Sequence, residues 1–311
     1  MIDQSILDKY IDESSFNMND TSRQKTRLVI SKFFESKSDV AYENLTKQNF
    51  VDMLSQAACM SINSFLSYKS TINDFIKWMY EQGYGTERLS KDFVQIQYAD
   101  INRSAFYSRY YFSDLQDLLS TMETIFEDRG SEFDTFKAAA LLIWYGIEPK
   151  EVIEVLKANL NEDDDTIQNP VTGQIIHLSK DVSYFLVQYR DDDNYDSRKM
   201  GGRVLSYVKS KYLLRSYKNA HLTLSQLSNI QSSTLKIAEE HGKQFQWKRI
   251  YLSGLYYRMY EFEQANGEIN RTDFETLTYF FKVQGELTPQ RKTDLLRKLS
   301  EYQEFKSYMY S

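Results

Sequence analysis

Apolar residues return every three or four positions over most of the chain, the spacing of one buried helix face. Ile2 to Ile11 forms a short amphipathic segment. Asn19 or Asp20 is placed to cap a helix over Thr21–Glu35, with Leu28, Ile30, Phe33 and Phe34 inward. Thr46 caps the next, whose inner positions are Phe50, Val51, Leu54 and Ala58. A third helix starts at Ser61, with Ile62, Phe65, Leu66, Ile72, Phe75, Ile76 and Met79 as its stripe; Gly83 and Gly85 end it, and a fourth follows Ser90. The pattern breaks over Asn102 to Phe112, which divides the chain into domains at 1–108 and 112–311.

Beyond the break, Ser113 followed by Gln116 has the spacing of a capping box. It opens a helix with Leu115, Leu118, Leu119, Met122, Ile125 and Phe126 inward. Asp134 is placed to cap the next, and Phe136 to Tyr145 is so apolar that it reads as a central core helix ended by Gly146. Pro149 fits the first turn of a further helix over Glu148–Leu160. Thr166–Gln168 and Gln174–Leu178 read as strands joined by the turn Asn169–Gly173. Helices are expected over Val182–Tyr189, Leu224–Glu240, Tyr251–Ala265, Thr272–Val283 and Pro289–Tyr308. The expected class is mainly α with one small β-hairpin, and only 11 Gly and 3 Pro in 311 residues agree with it.

The single cysteine, Cys59 beside Ala57, Ala58 and Met60, is a core position and excludes a disulfide framework. Three histidines (His177, His221, His241) leave little for a metal site, so neither metal nor cofactor is expected. The chain has no apolar run long enough to span a bilayer and no basic-then-apolar leader, so a cytoplasmic protein without membrane association is expected. The net charge of −6 hides a strong asymmetry. Residues 131–196 hold 5 basic and 14 acidic residues, whereas 197–260 hold 12 and 2, with no Asp or Glu from 197 to 238. Such a block points to a polyanion partner.

Three segments together resemble the tyrosine recombinases of the phage integrase family. Leu141–Tyr145 followed by Gly146-Ile-Glu-Pro-Lys-Glu-Val152, and then by Asn161-Glu-Asp-Asp-Asp165 before the hairpin, is similar to the family's first block. Lys248-Arg-Ile-Tyr-Leu-Ser-Gly-Leu-Tyr-Tyr257 resembles its His-x-x-Arg helix entry, and the end of the chain carries Tyr302, Tyr308 and Tyr310. The resemblance implies a two-domain clamp, a helical core-binding domain joined to a catalytic-type domain. It also shows departures. Glu148 stands where the family has its first phosphate-clamping Arg; a carboxylate ~4 Å from a phosphate costs on the order of 4 kcal/mol at an effective dielectric of ~20. The hairpin turn has no Lys, and Lys180 follows the second strand. Ser253 falls on the His position and Tyr256 on the second Arg position, with Arg258 two residues on. Tyr308 and Tyr310 are candidate vestiges of the nucleophile.

The resemblance is strongest to the integrase-like lysogeny repressors of SPbeta-type temperate phages, which implies an operator-binding repressor that does not cut DNA. The chain is therefore expected not to be an enzyme. Its expected partner is double-stranded operator DNA, with a regulatory protein as a further possible partner. The candidate DNA contacts are Arg23, Lys25 and Arg27; Lys69 and Lys77; Arg198, Lys199, Arg203, Lys209, Lys211 and Arg215; and Lys248, Arg249 and Arg258. Asn63, Ser64, Ser67 and Asn73 have the size of base-reading groups. The acidic stretches Glu162–Asp165 and Asp191–Asp196 are expected to face away from DNA or to pair with the basic segment in its absence. Two alternatives stand beside this: a divergent active recombinase, and a protein-interaction or signal-responsive module.

Overall fold

The computed structural model describes residues 3–14, 19–57, 62–126, 130–197 and 202–310. They form two compact units, Met1–Phe106 and Tyr107–Ser311. Cys59, Arg198 and Lys199 lie outside the described residues.

The first unit contains α1 (Gln4–Ser14), α2 (Asp20–Glu35), α3 (Lys47–Gln56), α4 (Ile62–Glu81) and α5 (Glu87–Val94). Asn19 caps α2 by accepting from Ser22 N, and Thr46 and Asn49 form a reciprocal box at the start of α3. Each satisfies amide groups that a first turn leaves without intrahelical partners. The core is aromatic: Phe33, Phe50, Phe75 and Phe93 are fully enclosed, and Phe50 meets Phe93 edge to face at 5.2 Å. Three positions expected inward are exposed instead. Leu28, Ile62 and Leu66 lie on the solvent side of their helices, because Ile30, Phe33, Phe65 and Ile72 already fill the buried arc. The stretch expected to break the helical pattern, Asn102 to Phe112, contains the division between the two units but is itself helical in part. α6 (Ser104–Tyr110) is helical, opened by Asn102 Oδ1 accepting from Ser104 N, with Phe106 and Tyr107 buried.

The second unit is built on α8 (Ser131–Trp144), in which Phe136 and every residue from Ala138 to Trp144 are buried. Around it lie α7 (Leu115–Phe126), α9 (Lys180–Asp191), α10 (Leu224–Glu240) and α11 (Trp247–Asn266), followed by α12 (Phe274–Phe280) and α13 (Pro289–Met309). Gly146, at φ +99, ends α8 where a side chain would be strained. The expected capping box is not formed: Asp114 accepts from Asp117 N, and Asp117 accepts from Ser113 N. Asp134 lies inside α8 rather than at its start, which Gly130 marks.

A longer correction concerns the segment after Pro149. No α-helix forms over Glu148–Leu160; the chain makes two short 3-10 turns, Val152–Glu154 and Lys157–Asn159. The reason is a tertiary exchange of hydrogen bonds. Leu213 N donates to Val155 O and Lys157 N donates to Lys211 O, each at 2.8 Å, holding the backbone between the turns extended. The expected hairpin is present as β2 (Thr166–Gln168) and β3 (Ile175–His177), and β1 (Leu160–Asn161) completes an antiparallel sheet. A second sheet pairs β4 (Asn194–Ser197) with β5 (Arg203–Ser206), with Tyr195 opposite Leu205. The acidic cluster and the basic segment are thus joined as two arms of one hairpin.

Candidate nucleic-acid interface

In the second unit the acid-free stretch does not present all its cations alike. Arg203 on β5 and Lys209, Lys211 and Lys218 on the following loop are exposed. Arg215, expected to contact DNA, is buried at 1% exposure. Its guanidinium donates to the carbonyls of Arg190 (3.0 Å) and Asp192 (2.5 Å) and lies 4.6 Å from the Tyr207 ring centroid. A phosphate has no access to it, so Arg215 is removed from the contact set. Two members of the acidic stretches pair with a cation of α9: Arg190 lies 2.7 Å from Asp191 and 2.8 Å from Glu162. That pairing holds the Asp191 carboxyl below its ordinary range.

Following the basic loop, α10 begins in a capping box made by Thr223 and Gln226. Ser225, Ser228, Asn229 and Ser232 fall on one face and all are exposed. No charge occurs between Lys218 and Lys236. This short, uncharged hydrogen-bonding face was not singled out from the sequence; its signal is the helical spacing of small polar residues inside a basic region. On α11, Lys248 is exposed, whereas Arg249 is half-buried, bonded to the Tyr111 hydroxyl and lying over its ring.

In the first unit, Lys25 is exposed, and Arg27 pairs with Asp8. Arg23 is half-buried. Lys77 is exposed, 3.7 Å from Glu81. The Lys69 ammonium donates to Val94 O at 2.8 Å and Ile96 O at 2.5 Å, fastening the end of α5. Burial pulls its pKa down. Asn63 and Ser67 are exposed and Ser64 is half-buried; Asn73 Oδ1 is enclosed without a hydrogen-bond partner.

A cavity of about 770 Å3 opens within the second unit, lined by Gly146, His177, Tyr251, Arg258, Tyr279 and Lys282 among others. It gathers the end of α8, strand β3, α11 and the chain after α12. Arg258 Nη1 donates to Trp144 O at 2.6 Å, and Lys282 Nζ donates to Gly146 O at 2.9 Å. Both cations therefore sit at the electronegative end of α8. Burial lowers the pKa of each, and for Lys282 the neighbouring Arg258 charge adds to the effect. Lys282 holds φ +51, a left-handed conformation uncommon for a residue with a side chain. No sequence feature marked it. Tyr257, also on the wall, is pushed up to about 12 by burial and then by its hydrogen bond with Glu261.

The family-equivalent positions proposed from the sequence distribute differently. Arg258 reaches this cavity; Tyr256 does not, being enclosed against Tyr302 and Phe305. Ser253 is buried, accepting from Phe112 N and donating to Arg249 O. Both are packing positions, because the α11 face carrying them turns inward. Glu148 is half-buried, pairs with Lys150 at 3.0 Å and is not among the lining residues. Tyr308 stacks on Tyr107 at 4.9 Å; Tyr310 stacks on Tyr260 at 3.9 Å and donates to Ser113 O.

No family model matches this chain, and no curated protein matches it. The solved structures to which it is similar include those of three integrases or recombinases. For a lambda integrase (75–356) dimer bound to a COC' core site, identity is 11%, with 95% of each chain covered and a TM-score of 0.35. For XerA recombinase the values are 10% identity, 96% of this chain and 98% of that one, and a TM-score of 0.39. For the integrase from mycobacterium phage Brujita they are 11%, 99%, 98% and 0.37. The expectation that the chain is not an enzyme is corrected on this finding: the structures it is similar to are integrases and recombinases, and that expectation is withdrawn. No helix among the described residues is long and apolar enough to cross a membrane.

Proposed function

We propose that this protein binds double-stranded DNA at specific operator sites and represses the lytic genes of a temperate phage. The observation that carries the DNA reading is the exposed set Arg203, Lys209, Lys211 and Lys218 in a stretch without a single acidic residue. Cations so placed neutralise phosphates and release counterions, which supplies affinity without sequence preference. Sequence preference would come from uncharged groups that reach base edges, for which the Ser225, Ser228, Asn229 and Ser232 face of α10 has suitable chemistry. Repression is supported by the resemblance to the lysogeny repressors of SPbeta-type phages. Footprinting across a host phage genome tests the reading. Discrete protected sites whose binding weakens steeply with salt are expected; uniform or absent protection overturns it.

A second reading, a divergent recombinase, is favoured by one observation: Arg258 and Lys282 stand together at one cavity, where a phosphate would meet two cations. Trapping on a suicide DNA substrate tests it. A covalent adduct lost on Tyr308→Phe or Tyr310→Phe supports strand cleavage, and no adduct with any DNA that the protein protects overturns it.

A further inference from the structure

Among the described residues of the acid-free stretch, Arg215 is the one cation that is fully buried, and it lies among main-chain carbonyls. Its Nη2 reaches the oxygens of Tyr189, Arg190 and Asp192, the last turn of α9 and the residue that follows it. A helix end offers partial negative charge and carbonyls without intrahelical partners, so a guanidinium can be held there without a carboxylate. The Tyr189 hydroxyl bonds back to Arg215 O at 3.4 Å, and the Tyr207 ring covers the guanidinium face. The loop around it is tied at separate points: Tyr207 N to Asp193 O, Val208 N to Ser216 O, and Leu213 N to Val155 O. Lys209, Lys211 and Lys218 project from this tied loop into solvent.

We propose that Arg215 is a positioning residue for DNA binding: it touches no phosphate but clasps the loop to the end of α9, so that Lys209, Lys211 and Lys218 are presented together. This inference rests on the DNA reading above. Nη2 makes all three carbonyl bonds, and Nε is enclosed without a partner. The flat guanidinium does this while lying over the Tyr207 ring, a combination that a lysine ammonium of the same charge does not reproduce.

That equality of charge makes Arg215→Lys the test. The salt dependence of binding to a protected DNA fragment is measured for the native chain, Arg215→Lys and Tyr207→Leu, with hydrogen exchange at the amides of Val208 and Leu213. For Arg215→Lys, affinity about tenfold weaker is expected, with the slope of log affinity against log salt smaller by about 2, as if two phosphate contacts were lost. The two amides exchange faster. Tyr207→Leu, which keeps every charge, shifts in the same direction and serves if Arg215→Lys does not fold. Native affinity and slope in both variants overturn the proposal, whether or not the melting temperature falls. A native chain without salt-dependent binding instead rejects the DNA reading, and this inference with it.

Discussion

Gly254 of α11 lies so close to Trp144 of α8 that a Cβ on it would stand 2.0 Å from the Trp144 carbonyl oxygen. The obstructing atom is backbone, so no side-chain rotation relieves it. Four residues on, Arg258 donates to that same oxygen. The two central helices and the cavity wall are thereby coupled. Gly254→Ala is expected to destabilise the protein by about 3 kcal/mol or more, the upper range for overpacking. The midpoint of urea unfolding measures it, and a shift equivalent to less than about 1 kcal/mol would show that the helices separate easily.

The last helix is fastened by a buried carboxylate. Glu263 accepts from the Tyr302 hydroxyl at 2.7 Å, Lys306 Nζ at 2.8 Å and Ile269 N at 2.9 Å. Replacing a charged acceptor leaves these donors poorly matched, so Glu263→Gln should cost about 2 kcal/mol. Hydrogen exchange should quicken along Pro289–Met309 before the rest of the second unit; uniform acceleration would argue against this local role.

Asp134 gives a pH dependence with a definite sign. Burial, joined by the charges of Asp192 and Asp196 and opposed by Lys137, raises its pKa from 3.8 to about 6. Between those values the folded protein holds the proton more firmly than the unfolded chain. Its contribution to stability therefore falls as pH rises from about 4 to about 6. Asp134→Asn is expected to melt higher than the native protein at pH 7.5 and to lose most of that advantage by pH 4.5. A constant difference across the range would assign the effect to packing.

Lys209, Lys211 and Lys218 are exposed, so changing them to Gln should leave the melting temperature within a degree or two. The slope of log affinity against log salt should fall by up to about 2.7, at about 0.9 per phosphate contact. An unchanged slope in the triple variant would move the DNA-binding face away from this loop.

The expected helices emerge where one arc of apolar residues is long and its ends carry caps: Thr46 opens α3, and α10 spans Leu224–Glu240 as read from the sequence. Local chemistry is sufficient there, since the capping partner lies three residues away. Where partners lie far along the chain, the reading fails. The segment after Pro149 has helical spacing, yet its amides and carbonyls are taken by Lys211 and Leu213, more than 50 residues on. The second hairpin was hidden because its arms, Asn194–Ser197 and Arg203–Ser206, are four residues each, too short to show an alternation of apolar and polar positions.

The candidate contacts divide in the same way. Charge counting found the acid-free stretch, because net charge is a property of composition. It could not separate Arg215 from Lys209 or Lys211, since burial depends on what the chain brings over a side chain. By itself the sequence determined a mainly helical protein with one strongly basic stretch, through apolar spacing and residue type, both readable over a few turns. The tertiary structure alone decided which cations face solvent, that Arg258 rather than Tyr256 reaches the cavity, and that Lys282 joins it. Those outcomes depend on contacts between residues far apart in the chain, and no local pattern encodes them.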